Sequence, residues 1–249
     1  MIKACILDMD GVIVDTEPIQ LEAFRLFLND YQIQVGQDFL QSLVGYSIQD
    51  NMIDIKQQFF HHQAFDIPSA IRRRNEFYLK MIAQQKLEPL AGVMDLISFC
   101  QQKDLKLALA SSSDQQQVDT IMNRLVNNFR TVFDVVVTGD DVHNKKPAPD
   151  IYLRVVEQLE LAPTSCLALE DSRAGVESAK AAGVMCFAVR NRYAEEKYLQ
   201  KADRIINSIQ EALDNHFWGY LGHRAWSREH GATNEEGADQ IIFGGMKKL

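Results

Sequence analysis

Two aspartates stand two positions apart at the end of the first apolar run of the chain. Asp8 and Asp10 follow a short run of aliphatic residues that ends at Leu7, and Gly11 comes next. Such a run is typical of a strand buried on both faces, and open α/β sheets bind ligands at the carboxyl ends of their strands. In an extended chain the two carboxylates would share one face, where one can attack a substrate while the other transfers protons. Because close carboxylates repel each other, a divalent cation is the expected companion, and a solvated strand end with two surface acids is the alternative.

Three further groups of polar residues each follow a predicted strand. They are Ser111 with Ser112, Lys146 with the prolines after it, and Glu170 with Asp171. Each has an ordinary explanation, because serine clusters form turns, loop lysines are usually solvated and acidic pairs cap helices. Phosphoryl transfer, however, needs a nucleophile, a proton carrier, a cation and fixed groups around the phosphate. Each of these has a candidate at a predicted strand end.

Residues 8–17 read D-M-D-G-V-I-V-D-T-E, which resembles the first motif of the haloacid dehalogenase-like hydrolases, D-x-D-G-x-x-x-D-[ST]. This version is similar to the branch of the family that contains β-phosphoglucomutase and small sugar-phosphate phosphatases. The three polar groups after the later strands resemble the second, third and fourth motifs of the same family, in the same order. The resemblance covers residues 1 to about 214.

The resemblance implies roles for the residues that would carry out the chemistry. Asp8 is the expected nucleophile, whose carboxylate attacks phosphorus and forms an aspartyl-phosphate. Asp10 is expected to protonate the leaving alcohol and later to activate water, and an acid here argues against a dehalogenase. Ser111 is expected to hold the phosphate, with Ser112 as a further phosphate-binding residue. Lys146 is expected to offset the charge of the phosphate and of Asp8.

The resemblance also implies a Mg²⁺ site. The family's fourth motif carries metal-binding carboxylates, which here are Glu170 and Asp171. With the carboxylate of Asp8 and the backbone carbonyl of Asp10, they would form a site of oxygen ligands, which Mg²⁺ prefers.

The order of helical and strand patterns predicts an inserted helical segment. Residues 17–87 contain four helical patterns and no strand pattern, whereas strands and helices alternate over residues 88–215. This alternation predicts a doubly wound, mostly parallel α/β sheet. The resemblance identifies residues 17–87 as a C1-type cap on a Rossmann-like catalytic core formed by residues 1–16 and 88–215. Residues 216–249 are a C-terminal tail that is not typical of the family.

The predicted cap carries the features that separate mutases from phosphatases. Gly45 and Ser47 resemble part of the loop that contacts the substrate, but Ile48 stands where the phosphoglucomutases have an arginine. Gln20 stands at about the position of a mutase histidine. Arg74 aligns with a mutase lysine and is a candidate for an anion contact, with a solvated basic helix face as the alternative.

The composition restricts the class of protein and its partners. A net charge of −8 argues against nucleic acid or an anionic membrane as the main partner, and no apolar run is long enough for a membrane span. The four cysteines lie in apolar segments without a C-x-x-C pair, so we expect reduced thiols in a cytoplasmic protein. A monomer is the default expectation.

These observations together predict a Mg²⁺-dependent phosphatase that hydrolyses a small phosphate monoester, with a sugar phosphate as the expected class of substrate. One alternative is β-phosphoglucomutase-type isomerisation, which the residues at positions 20 and 48 disfavour. The alternative of another class is a catalytically silent binding or regulatory protein, against which the intact set of polar residues argues. The sequence does not identify the ester.

Overall fold

The structure is a computed structural model of the chain, and it describes residues 1–61, 64–125, 129–191 and 196–215. The predicted tail, residues 216–249, lies outside these ranges. None of the helices within the described ranges combines the length and the apolar character that a membrane span requires.

Six strands form one parallel sheet at the centre of the fold. They are β1 (Ala4–Leu7), β2 (Lys106–Ala110), β3 (Val135–Val137), β4 (Cys166–Glu170), β5 (Met185–Val189) and β6 (Arg204–Ile206). Their order in the sheet is β3-β2-β1-β4-β5-β6, and every pair is parallel. The chain places β2 and β3 on one side of β1 and then β4, β5 and β6 on the other side. The direction of the strand order therefore changes at β1, and ligands of such folds bind at this switch point.

Four helices lie between β1 and the rest of the sheet. They are α1 (Glu17–Asp30), α2 (Gln37–Ser42), α3 (Ile48–Phe59) and α4 (Ile67–Gln84). Phe24, Phe27 and Leu28 of α1 belong to an apolar cluster of this segment that is separate from the two clusters against the sheet. Polar side chains begin two of the helices, since Ser47 caps α3 and Asp66 caps α4. The predicted all-helical character of the insert is confirmed for its described residues.

Helices cover both faces of the sheet. After the insert come α5 (Val93–Gln102), α6 (Gln115–Arg124), α7 (Asp150–Gln158), α8 (Arg173–Ala181) and α9 (Ile209–Asn215). Apolar residues of α5 and α6 pack with Cys5 and Leu7 of β1, whereas those of α7 and α8 pack with Ala4 and Ile6. Alternate residues of β1 therefore enter opposite apolar clusters, as a strand buried on both faces requires, and the predicted doubly wound parallel sheet is confirmed.

The boundaries of several elements differ from the sequence prediction. The helix expected from Asp114 to Phe129 ends at Arg124, and Phe129 belongs to a separate 3-10 turn. The third strand begins at Val135 rather than at Phe133. Just before it, the side chain of Asp134 accepts a hydrogen bond from the backbone N–H of Leu107, at 2.9 Å. The sequence did not predict α9, whose apolar residues join the same cluster as α5.

Candidate active site

The first two aspartates stand at the carboxyl end of β1, in a tight turn. Asp8 is held beside β4 by its backbone N–H, which donates to the carbonyl of Leu169 at 3.0 Å. Met9 is fully buried in the apolar cluster. Gly11 has a φ of +79°, in the left-handed region that suits glycine, and its N–H donates to the carbonyl of Val14 at 2.8 Å.

Lys146 joins the ends of three neighbouring strands. Its ammonium group lies 2.6 Å from Asp8 Oδ1 after β1, 2.5 Å from Glu170 Oε1 at the end of β4, and 2.8 Å from the carbonyl oxygen of Ala110 at the end of β2. Only 5% of its side chain is exposed, so its charge acts in a poorly solvated environment. The hydroxyl of Tyr152 donates a second hydrogen bond to Glu170 Oε1, at 2.6 Å.

Burial and mutual repulsion shape the protonation of these groups. Burial raises the pKa of Asp8 to about 8, against the attraction of Lys146. Burial, followed by the charges of Asp8 and Glu170, raises the pKa of Asp171 well above its usual range. Although burial lowers the pKa of Lys146, attraction to Asp8 and Glu170 outweighs it and raises that pKa above the usual value. The site therefore holds more acidic groups than its one lysine neutralises, and a further cation would stabilise their charged forms.

Three carboxylates converge in a cluster that could hold a metal ion. Asp8, Glu170 and Asp171 offer ligand oxygens that all lie within 4.8 Å of one another. Two glycines permit this convergence, because a Cβ at Gly11 would overlap the carboxylate of Asp171 and a Cβ at Gly175 would overlap that of Glu170. An all-oxygen donor set of this kind suits a hard divalent cation.

The carboxylate of Asp10 lies outside that cluster and is held separately. Its Oδ1 accepts a hydrogen bond from the hydroxyl of Thr16, and its Oδ2 accepts one from the hydroxyl of Ser113 at 3.2 Å. Burial raises the pKa of Asp10, whereas these two hydrogen bonds oppose the increase. The two hydrogen bonds thus hold the Asp10 carboxylate in a fixed direction.

The two predicted phosphate-binding serines begin the turn after β2. Ser111 is buried, and its Oγ accepts a hydrogen bond from the N–H of Ser113 at 3.1 Å. The Oγ of Ser112 is a buried atom without a hydrogen-bond partner in the described part of the chain. An unpaired buried hydroxyl costs free energy unless a ligand satisfies it.

Arg74 is buried in the helical insert instead of lying on a solvated face. Its guanidinium donates to the backbone carbonyl of Gln20 at 2.8 Å and also to the Gln20 side chain, and it stacks on Phe24 and Tyr78 at 4.6 and 5.1 Å from the ring centroids. The alternative of a solvated basic face is therefore wrong for Arg74. Burial lowers its pKa to about 10, although Tyr78 and Glu17 oppose this effect.

Gly45 and Ser47 lie on the exposed surface of the insert. The Oγ of Ser47 accepts the N–H of Asp50 at 3.1 Å, and the hydroxyl donates to the Asp50 carboxylate at 2.7 Å. These contacts explain the serine as the cap of α3. The predicted contact of both residues with substrate stays a prediction.

Four residues of this environment were not assigned a role from the sequence. They are Thr16, Ser113, Tyr152 and Asn191. Thr16 lies inside the quoted first motif, and Ser113 directly follows the two predicted serines, so their positions carried a signal. Tyr152 lies within α7, where an aromatic residue on the apolar face is indistinguishable from ordinary core. Asn191 follows β5, and only its place after a strand could have drawn attention to it.

Comparison with known proteins identifies the family. A sequence model described as haloacid dehalogenase-like hydrolase matches residues 5–189, which include all four polar groups at the strand ends. The chain therefore belongs to the haloacid dehalogenase-like hydrolase family. The resemblance of the four motifs to those of this family thus identified the family correctly.

Individual relatives indicate which class of enzyme within the family is similar to this chain. The phosphorylated carbohydrates phosphatase of Thermotoga maritima is 32% identical over 223 residues, which cover 85% of this chain and 100% of that protein. The fructose-1-phosphate phosphatase YqaB of Escherichia coli is 30% identical over 188 residues, covering 74% of this chain and 95% of that protein. The structure of CbbY from Rhodobacter sphaeroides in complex with xylulose-(1,5)bisphosphate is similar, with a TM-score of 0.73 and 27% identity over 85% of this chain and 96% of that one. The family and the names of the relatives support the predicted enzyme class, a phosphoric monoester hydrolase, on a Rossmann-like α/β fold.

Proposed function

We propose that this protein is a Mg²⁺-dependent phosphatase of a small phosphorylated metabolite, with a sugar phosphate as its substrate, and that it acts through a phosphoryl group bound to Asp8. The observation that carries the proposal is the contact of one buried lysine, Lys146, with both Asp8 and Glu170. This contact brings a nucleophile, a fixed positive charge and a cluster of cation ligands together at the carboxyl ends of neighbouring strands, as phosphoryl transfer requires.

In the first step, the carboxylate of Asp8 attacks phosphorus and the bond to the leaving alcohol breaks. Lys146 orients this carboxylate through its hydrogen bond of 2.6 Å and offsets the negative charge that accumulates on the phosphoryl oxygens. Ser111 and the unpaired Oγ of Ser112 supply hydrogen-bonding groups for the same oxygens. Asp10, protonated at first, gives its proton to the departing alkoxide.

In the second step, Asp10 acts in the opposite direction. Having lost its proton, it takes one from a water molecule, which attacks phosphorus and releases inorganic phosphate and the free carboxylate of Asp8. The hydrogen bonds from Thr16 and Ser113 keep Asp10 directed at one place during both steps. The pKa of Asp10, raised by burial, favours this alternation between acid and base.

Mg²⁺ would be held by Asp8, Glu170 and Asp171, together with the backbone carbonyl of Asp10. The cluster fits the ion because its donors are all oxygens and its acids outnumber its single lysine. When bound, Mg²⁺ polarises a phosphoryl oxygen and neutralises charge. The chain's own residues perform the nucleophilic and proton-transfer roles.

The substrate class and the lid belong to the same proposal. Two relatives are named as phosphatases of phosphorylated carbohydrates and of fructose 1-phosphate, which supports a sugar phosphate here. We propose that residues 17–87 act as a cap that closes over the leaving group and excludes water until the second step. A monomeric cytoplasmic protein is the expected form.

A panel of phosphate monoesters tests the proposal. The protein would be incubated with Mg²⁺ and each ester, including fructose 1-phosphate and β-glucose 1-phosphate with a trace of glucose 1,6-bisphosphate, and followed by phosphorus NMR. We expect an inorganic phosphate signal to grow for at least one sugar phosphate. Glucose 6-phosphate without free phosphate would instead identify a mutase, and an unchanged panel would favour a protein that only binds.

A further inference from the structure

Asn191 contacts one carboxylate of the candidate metal cluster, that of Asp171. It lies two residues after the end of β5 and just beyond residues 5–189, which the family model matches. Its side-chain amide donates to Asp171 Oδ2 at 2.6 Å. The contact joins the end of β5 to a carboxylate that follows β4, the neighbouring strand.

Two neutral residues lie next to Oδ2 of Asp171. Asn191 donates a hydrogen bond to this oxygen, and the same oxygen lies so close to Gly11 that no Cβ could fit there. In the part of the chain that the structure describes, no lysine or arginine forms an ion pair with Asp171, whereas Asp8 and Glu170 share Lys146. The carboxylate is thus fixed in direction while its charge is not neutralised by a cation of the described chain.

We infer that Asn191 is a positioning residue that makes the cluster selective for Mg²⁺ over larger divalent cations such as Ca²⁺, an inference that rests on the proposed Mg²⁺ site. Mg²⁺ requires near-octahedral ligands at about 2.0–2.1 Å, whereas Ca²⁺ accepts variable geometry at about 2.3–2.6 Å. A carboxylate held in one direction favours the smaller ion. A carboxylate free to rotate or withdraw loses this preference, because only the larger ion tolerates the change.

A purely structural role for Asn191 makes a different prediction. If the amide only tied the end of β5 to the turn after β4, its loss would weaken the binding of every divalent cation equally. Selective positioning predicts that the affinity for Mg²⁺ falls more than the affinity for Ca²⁺. The ratio of the two affinities therefore separates the two roles.

The test uses the full-length protein without substrate. Metal-free wild type and Asn191→Leu, which keeps side-chain size but cannot donate, would be titrated with Mg²⁺ and with Ca²⁺, and affinities taken from the increase in thermal unfolding temperature. Partners of ligating groups typically change metal affinity by about 10–100-fold, so we expect Mg²⁺ affinity to fall by about 10-fold or more and Ca²⁺ affinity by about 3-fold or less. Asn191→Ala repeats the measurement if leucine prevents folding.

Asn207 offers a matched control, because it follows a neighbouring strand, β6, and its amide donates to the carboxylate of Glu211 at 2.6 Å, outside the metal cluster. Asn207→Ala should leave both affinities unchanged. Equal losses for the two ions in the Asn191 variants, or unchanged Mg²⁺ affinity, would overturn the inference, as would a wild type that binds neither ion. A wild type that binds Mg²⁺ but hydrolyses no ester would contradict the proposed function. The ratio of the Mg²⁺ and Ca²⁺ affinities would still support or refute this inference.

Discussion

At the scale of single residues, the candidate site depends on carboxyl groups that burial makes reluctant to ionise. Asp8, Asp10 and Asp171 all have raised pKa values, and burial is the largest cause for each. Glu17, at the beginning of α1, shares this property, since burial and then the charge of Asp10 raise its pKa to about 7. Ionisation of a carboxyl group whose pKa is raised in the folded chain lowers the free energy of unfolding.

Glu17 gives a prediction about stability and pH. Its usual pKa of 4.5 applies to the unfolded chain and about 7 to the folded one. Between pH 4.5 and about 7 the unfolded chain binds fewer protons than the folded chain, so the free energy of unfolding falls as pH rises. Above about pH 7 this decrease in the free energy of unfolding is complete. At about 1.4 kcal/mol per pKa unit, reduced for partial exposure, Glu17→Gln should be about 1–3 kcal/mol more stable than wild type at pH 8 and similar to it near pH 4.

Urea unfolding of the metal-free proteins at the two pH values measures this difference. Glu157→Gln on α7 serves as the control, because the Glu157 side chain is 68% exposed and solvent screens its charge. An equal difference between wild type and Glu17→Gln at both pH values would contradict the burial of Glu17.

At the scale of elements, close packing between a helix and a strand end shapes the cluster. The first turn of α8 passes directly beside the carboxylate of Glu170, and Gly175 leaves the space that this carboxylate fills. Ser172 begins that helix by accepting the N–H of Gly175 at 3.0 Å. The local sequence thus fixes both the beginning of the helix and the place of a carboxylate that could bind a cation.

Gly175→Ala should therefore harm the site although alanine is the better helix former by about 1 kcal/mol. The added methyl group would displace Glu170 from Lys146, and we expect the rate of ester hydrolysis to fall by at least about 10-fold. Gly36→Ala, at a position with no atom within 4 Å of the added methyl group, is the control and should retain activity. Full activity in Gly175→Ala would show that the position of Glu170 is not needed for turnover.

At the scale of the whole molecule, the turns after β1, β2 and β4 meet because these strands are neighbours in the sheet. The chain contributes Asp8, Ser111 and Glu170 from segments more than fifty positions apart, and the parallel register brings them to one edge. A cation at this edge would bind only the folded chain. Metal binding should therefore raise the free energy of unfolding of the whole protein.

Addition of Mg²⁺ should raise the thermal unfolding temperature of the wild type. At a concentration of about 100 times the dissociation constant the stabilisation is about 2.7 kcal/mol, which corresponds to an increase of about 5–10 °C for a chain of this size. Asp171→Asn should show little of this increase, since it loses a charged ligand. A wild type whose unfolding temperature does not respond to Mg²⁺ would contradict the metal site.

Much of this arrangement could be predicted from the sequence because it rests on local signals. Apolar strands, turn glycines and capping residues are short-range features. The four motifs stand at the ends of predicted strands, so their places could be predicted without knowledge of tertiary contacts. The burial of Arg74 could not be predicted, since a run of three arginines is typical of a solvated helix. Its environment is set by Gln20 and Phe24 on α1, more than forty positions away.

The contact between Asn191 and Asp171 escaped prediction for the same reason. An asparagine after a strand is common in turns, and only the packing of β5 beside β4 brings it to the carboxylate of Asp171. The beginning of β3 also lies beside tertiary contacts. Asp134, for example, accepts hydrogen bonds from the backbone of Leu107 and the side chain of Lys106, which a local pattern does not reveal.

The covalent role of Asp8 is the central claim, and acid-quenched mass spectrometry tests it most directly. The wild-type protein would be mixed with Mg²⁺ and its preferred sugar phosphate, quenched in acid within the first turnover and digested. The account predicts one phosphoryl group on the peptide that contains Asp8, and neither this adduct nor turnover in a folded Asp8→Asn variant. Phosphate release by Asp8→Asn at the wild-type rate, with no phosphorylated peptide in either protein, would contradict it.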